Sequence, residues 1–132
     1  MQRQSVRTYL AELERRGVLA SVAETVDPRF EISAHLCLAG AGPALRFERI
    51  NGHRMRVFGN LLCSRERIAL GLGTTVAKLQ QRIVAAIDAP LAPRPVRAAP
   101  CQAVAIDQPD LATLPIPTFF EHETGPYLTA GA

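Results

Sequence analysis

This sequence has no tryptophan, and aromatic residues make up only 5% of it. Its core must therefore be filled mainly by Leu, Ile, Val and Ala. Lysine is almost missing too: Lys78 is the only one, and arginine carries nearly all of the basic charge. The net charge is only +3, and the arginines are scattered from Arg3 to Arg97 with no block of one sign. A nucleic-acid-binding surface gathers basic residues on one face and interleaves stacking aromatics. Neither feature is visible, so a solvated surface of Arg and Glu pairs is expected, with no nucleic-acid partner. Cysteines are few: Cys37, Cys63 and Cys101 lie far apart, outside any CxxC or metal-ligand spacing. Each has apolar neighbours and is expected as a small buried thiol in a reducing, cytoplasmic setting. No apolar run approaches the roughly 20 residues that span a bilayer. The N-terminus, MQRQSVRTYLAELERRG, is charged and amphipathic, unlike a signal peptide.

What is present suffices for a globular core. Of 132 residues 48% are hydrophobic and 20% charged, room for one domain or for one domain and the start of another. Ser5 is placed to cap a helix running to about Arg16, with Val6, Tyr9, Leu10 and Leu13 on one stripe and Gly17 ending it. Val18 to Val22 reads as a strand. Asp27-Pro28 signals a second helix start, from Pro28 to about Ala39, stopped by Gly40 and Gly42. Ala44 to Ile50 alternates apolar and polar and predicts a half-buried strand. Asn51-Gly52 turns it into a returning strand at Met55 to Phe58, with His53 solvated at the tip. Ser64 caps a short helix, Arg65 to Leu72, and Thr74 or Thr75 caps another reaching Asp88. On that last helix Val76, Leu79, Ile83 and Ile87 share a side. Ala89 to Pro100 holds four prolines and reads as a stiff linker. Gln102 to Ile106 is expected to return as a strand. Asp107 to Gly125 has no clear period, and Tyr127 to Ala132 looks like a strand beginning, in need of a neighbour.

Residue chemistry alone offers no convincing active site. Glu121-His122-Glu123 is the densest polar cluster, near Asp107 and Asp110. In extended chain, however, alternate residues point to opposite sides and do not converge. No HExxH and no second His stand at ligand spacing. His35 reads as a packed or surface helical residue. Ser5, Ser21, Ser33 and Ser64 lack a GxSxG elbow, and Cys101 has no His nearby in sequence. Gly71-Leu72-Gly73 lacks the GxxxxGK[ST] phosphate-loop pattern and reads as helix termination.

Several segments, in their order and spacing, carry a resemblance. They are SVRTYLAELERRG, DPRFEI, GPALRFERINGH, GNLLCSRERIALGLG, APCQ after the linker, DLATLPIPTFFEHETGPY and the closing LTAG. Together they resemble the N-terminal part of the UbiD family of reversible decarboxylases, whose cofactor is prenylated FMN. The stretch SAHLCLAGAG departs from the more polar helix end usual there.

The resemblance implies an α+β fold, a small mixed sheet with packed helices, over residues 1–106. It implies that 107–132 are a crossing segment leading into the first strand of a flavin-binding split β-barrel. The family's cofactor-, metal- and proton-handling residues match no position here, so no catalytic, cofactor-binding or metal residue is assigned. Thr129 and Ala130 match a strand that approaches the substrate pocket and are expected to line it. In the full-length family the cofactors are prenylated FMN and a divalent metal, Mn or Mg, with potassium left open. None is expected on this chain alone. The implied function is the supporting domain of a decarboxylase of aromatic or α,β-unsaturated acids, with the remainder of that enzyme as partner and a homo-oligomer left open. The alternative is a stand-alone, non-catalytic subunit whose final strand completes a barrel supplied by a separate chain.

Overall fold

The structure, a computed structural model, describes residues 5–93 and 95–128. It begins with α1, Val6–Arg15, whose start is held by a reciprocal cap. The Ser5 hydroxyl accepts from the Thr8 amide at 3.1 Å, and the Thr8 side chain accepts from the Ser5 amide at 3.1 Å. The helix ends at Gly17, whose φ of 68° is a left-handed conformation that suits glycine. Leu13 is its fully buried residue.

The centre is a three-stranded sheet in the order β1-β2-β3. β1 is Leu19–Val26, β2 is Ala44–Ile50 and β3 is Val57–Gly59. β1 and β2 run parallel, and β2 and β3 run antiparallel. A parallel pair needs a crossover connection, and α2, Glu31–Ala39, supplies it. The fold is thus α+β with a small mixed sheet, as the resemblance implied. β2 has the expected bounds, and its alternation has a physical result: Leu45 and Phe47 join the core while Arg46 and Glu48 form ion pairs with each other at 2.6 Å. The core gathers Val22 and Val26 from β1, Ile32 from α2, and Leu45, Phe47 and Ile50 from β2, with Ala20, Leu36, Ala39 and Val57 packed around it. His35 is a packed residue, its ring edge-on to Phe47 at 5.7 Å.

Several elements differ from the sequence reading. β1 runs on to Val26, past a register shift between Val22 and Thr25. Asp27-Pro28 starts a turn rather than a helix: the Asp27 carboxylate accepts from the Arg29 amide at 2.7 Å. α2 starts only at Glu31, after Phe30 with φ of 73°. The Asn51-Gly52 turn is tight, closed by an Ile50–His53 bridge, but residues 54–56 leave the ladder, so the returning strand is Val57–Gly59. α3 is Arg65–Gly71, capped by the Ser64 hydroxyl, which accepts from the Arg67 amide at 3.3 Å. A 3-10 turn, Val76–Lys78, precedes α4, Leu79–Asp88.

Gln102 to Ile106 forms no strand. It follows a 3-10 turn at Pro100–Gln102 and is exposed throughout. Alternation alone gives a segment no partner, and the sheet nearby is already formed from β1, β2 and β3. The three cysteines are exposed rather than buried, and apolar neighbours such as Leu38, Leu62 and Val104 are exposed with them. The strand expected at 127–132 falls mostly outside the described residues.

Candidate functional site

The residues that tie distant parts of the chain together lie in two places. The first is the β1–α2 loop, where the segment after residue 110 crosses the domain. Asp110 caps a 3-10 turn, Leu111–Thr113, by accepting from the Ala112 amide at 2.9 Å. His53 then meets the segment, its Nδ1 at 3.2 Å from the Thr113 carbonyl, so it is half-buried and not a free tip. Thr118 pairs with the loop on both sides. Its amide donates to the Pro28 carbonyl at 3.1 Å, and its carbonyl accepts from the Phe30 amide at 3.0 Å. The Ser33 hydroxyl shares its proton between the carbonyls of Phe30 at 2.7 Å and Phe119 at 2.9 Å. Pro117 is buried in this contact.

Phe30 is a bulky residue in the left-handed region, a conformation that costs about 1–3 kcal/mol. The pairing with Thr118 and the Arg29 guanidinium, 5.0 Å from the Phe30 ring centre, accompany that strain. The Glu121-His122-Glu123 cluster lies just beyond. It does not converge. Glu123 staples the turn: one carboxylate oxygen accepts from the Phe119 amide at 2.8 Å and the other from the Tyr127 hydroxyl at 3.0 Å. That carboxylate holds the Tyr127 phenol above its ordinary pKa, because the phenol proton is kept in the hydrogen bond. His122 is exposed. Thr129 and Ala130 lie outside the described residues.

The second place is Arg67 on α3, the one charged side chain buried among the described residues. Its guanidinium is held by backbone carbonyls. Nη1 donates to Asn60 at 2.7 Å, and Nη2 reaches Gly42 at 2.6 Å, Ala41 at 3.2 Å and the Cys63 sulfur. Asn60 in turn donates from its side-chain amide to the Leu36 and Gly40 carbonyls at 3.3 and 3.2 Å. The Tyr9 hydroxyl donates toward the carbonyls of Leu61 at 2.8 Å and Arg67 at 3.0 Å. Burial raises the Tyr9 pKa, against the pull of the Arg67 charge. Sequence reasoning missed this network. Arg67 stands in a charged run, Arg65-Glu66-Arg67, that reads as an ordinary solvated helix start. Only the closure of α3 over the Ala41–Gly42 loop buries it.

Neither place has the chemistry of a flavin or metal site. A flavin phosphate needs cationic side chains or free backbone N–H groups directed at it. Arg67 is already spent on carbonyls. A shallow hollow of about 370 Å³ between α1 and α3 is lined by Ser5, Val6, Tyr9, Leu62, Ile68, Gly71 and Leu72, which suits neither phosphate nor metal. Among the described residues no three His, Cys, Asp or Glu side chains gather as a metal-binding group. No helix among them is long and apolar enough to cross a membrane. The residues described do not fit prenylated FMN.

Comparison with known proteins gives this arrangement its context. Residues 10–87 match the family described as the 3-octaprenyl-4-hydroxybenzoate carboxy-lyase N-terminal domain, and residues 94–132 match its Rift-related domain. An evolved dimeric form of the UbiD-class enzyme HmfF from Pelotomaculum thermopropionicum, solved in complex with prFMN, is 36% identical, with a TM-score of 0.91 over 97% of this chain and 31% of that one. The apo 3,4-dihydroxybenzoic acid decarboxylase from Enterobacter cloacae is 32% identical, with a TM-score of 0.76 over 88% of this chain and 28% of that one. The vanillic acid decarboxylase of Sedimentibacter hydroxybenzoicus in its open form is 29% identical, with a TM-score of 0.73 over 90% of this chain and 29% of that one. The chain spans about three-tenths of the length of these solved relatives. With the family profile matched over most of its length and the same fold in solved members, the chain belongs to the UbiD family of carboxy-lyases and carries its N-terminal domain.

Proposed function

We propose that this chain is the N-terminal supporting part of a decarboxylase acting on aromatic or α,β-unsaturated carboxylic acids through prenylated FMN, and that these 132 residues alone lack the active site. The observation that carries this is one of coverage: nearly the whole chain matches a flavin-bound relative, yet only 31% of that relative is matched. Relatives named for vanillic and 3,4-dihydroxybenzoic acid support an aromatic acid as substrate. Prenylated FMN would supply the electron sink for loss of carbon dioxide. The contribution of this chain is positional. The N-terminal domain, 1–106, holds the crossing segment, 107–132, at a fixed exit through the Thr118 pairing with Pro28 and Phe30 and the Ser33 bond to Phe119. Thr129 and Ala130, just past that exit, would line the pocket once the remainder is joined. Divalent metal, Mn or Mg, and any potassium would be held by that remainder.

The test is direct. The purified chain is mixed with prenylated FMN, passed through a desalting column, and its absorbance scanned. No flavin is expected to follow the protein. Stoichiometric, tight retention of flavin would overturn the proposal.

A further inference from the structure

α4 is made of good helix formers but packs little of itself on the rest of the chain. Ten-residue helices are marginal in water, and most helices in proteins owe their stability to an apolar face packed on something. α4 has no capping side chain at its start, no acid in its first turn and no base in its last. Leu79 is buried, but every residue from Gln80 to Asp88 is exposed. Its main neighbour among the described residues is the small 3-10 turn that leads into it.

The helix is nonetheless amphipathic. Val76, Leu79, Ile83 and Ile87 follow helical spacing along one stripe, with Val84 at its edge. Val76, Ile83, Val84 and Ile87 are 41%, 43%, 48% and 71% exposed. The stripe continues into the linker, where Leu91 and Val96 are 92% and 65% exposed. The Rift-related match begins at residue 94, within that linker. The match to the Pelotomaculum enzyme takes in 97% of this chain, so it leaves out only about four of 132 residues and cannot omit α4. That enzyme keeps the helix in a chain about three times as long.

We propose that the stripe from Val76, in the 3-10 turn, along α4 to Ile87 is a docking face, and that its occupant is the flavin-carrying part of a UbiD-class decarboxylase, the part that this chain does not span. The inference rests on the function proposed above. It adds the surface through which the supporting domain grips the remainder. Burying the stripe removes apolar area from water and supplies the packing that α4 lacks.

The experiment joins this chain, in place of the matched 31%, to the remaining sequence of the Pelotomaculum enzyme. The chain alone serves as reference. Amide hydrogen exchange across 80–88, flavin retention and the thermal midpoint are read together. α4 amides are expected to exchange freely in the chain alone and to gain protection in the joined, flavin-retaining protein. Ile83→Asp with Ile87→Asp should reduce that protection by about tenfold or more. Ala85→Asp, on the opposite side of the same helix, should not. Unchanged protection in the double variant, or an equal loss from Ala85→Asp, would overturn the docking face and leave the proposed function standing. A joined protein that folds but retains no prenylated FMN when it is supplied would overturn the proposed function and this inference with it. Protected α4 amides in the chain alone, together with a dimer by mass, would assign the stripe to a second copy and overturn the inference.

Discussion

Arg67 and Gly59 show how much depends on single positions that no motif marks. The Arg67 guanidinium links Asn60, Ala41, Gly42 and Cys63, so it fixes the end of α2 and the entry to α3 at once. Removing it leaves the part-buried carbonyls of Asn60, Ala41 and Gly42 without this donor. Arg67→Ala is expected to lower stability by about 3 kcal/mol or more, read from urea unfolding. Arg67→Lys should recover only part, because an ammonium cannot reproduce the planar fork. A near-zero loss for Arg67→Ala would mean that water replaces the guanidinium without cost. Gly59 is constrained differently. A Cβ there would overlap the Leu36 side chain, so α2 and β3 approach as closely as they do only because position 59 has none. Gly59→Ala should cost about 1–3 kcal/mol, with Leu36→Ala added giving less than the sum of the two losses. Strict additivity in that cycle would argue against direct overlap.

Among the elements, α1 has the most complete local logic. Its cap, its stripe and its terminating glycine were all legible, because each acts within a few residues of chain. Its charges add a measurable pH dependence. Glu12 accepts from Arg15 at 2.8 and 2.6 Å and from Arg16 at 2.6 Å. The hydrogen bond from Arg15, then that from Arg16, lowers its pKa from 4.5 to about 2. The unfolded chain protonates this carboxyl near 4.5, before the folded chain does. The favourable contribution is therefore present above pH 4.5 and drains away as pH falls toward 2. Glu12→Gln should flatten the stability profile in that window and change it little at neutral pH. Because the group is at the surface, salt should shrink the effect. An unchanged acid limb in the variant would mean that the ion pairs form equally in the unfolded chain. α2 was legible in its body and its end at Gly40, but not in its start. Asp27-Pro28 satisfied the local rules for a helix start, but pairing of the loop with Thr118 takes the Phe30 amide and delays the helix to Glu31.

At the scale of the whole molecule, the crossing segment is the consequential feature. Between residues 80 and 113 nearly every described residue is exposed, and the chain is caught again at Leu114 to Phe119. Thr118→Pro would remove the amide that donates to Pro28. Limited proteolysis between Leu111 and Tyr127 should then proceed roughly tenfold faster, while the thermal midpoint of the sheet and its helices holds. Equal cleavage rates would show that the segment is held elsewhere, with Ser33 and His53 the next positions to test. Such a fixed exit matters in a UbiD-family chain, since whatever the segment enters must be presented at one angle.

Sequence alone determined the short-range features: the Ser5 and Ser64 caps, the bounds of β2 through its alternation, the stop at Gly17 and the family through the order of its segments. These depend on hydrogen bonds and side-chain directions within one turn or one strand, where the chain meets only itself. Tertiary structure alone decided the rest. It buried Arg67, left Cys37, Cys63 and Cys101 exposed, turned Asp27-Pro28 into a loop and denied Gln102 to Ile106 a sheet to join. Each of those outcomes depends on a partner tens of residues away. Burial and strand pairing are properties of two surfaces meeting, and no short stretch of chain specifies both.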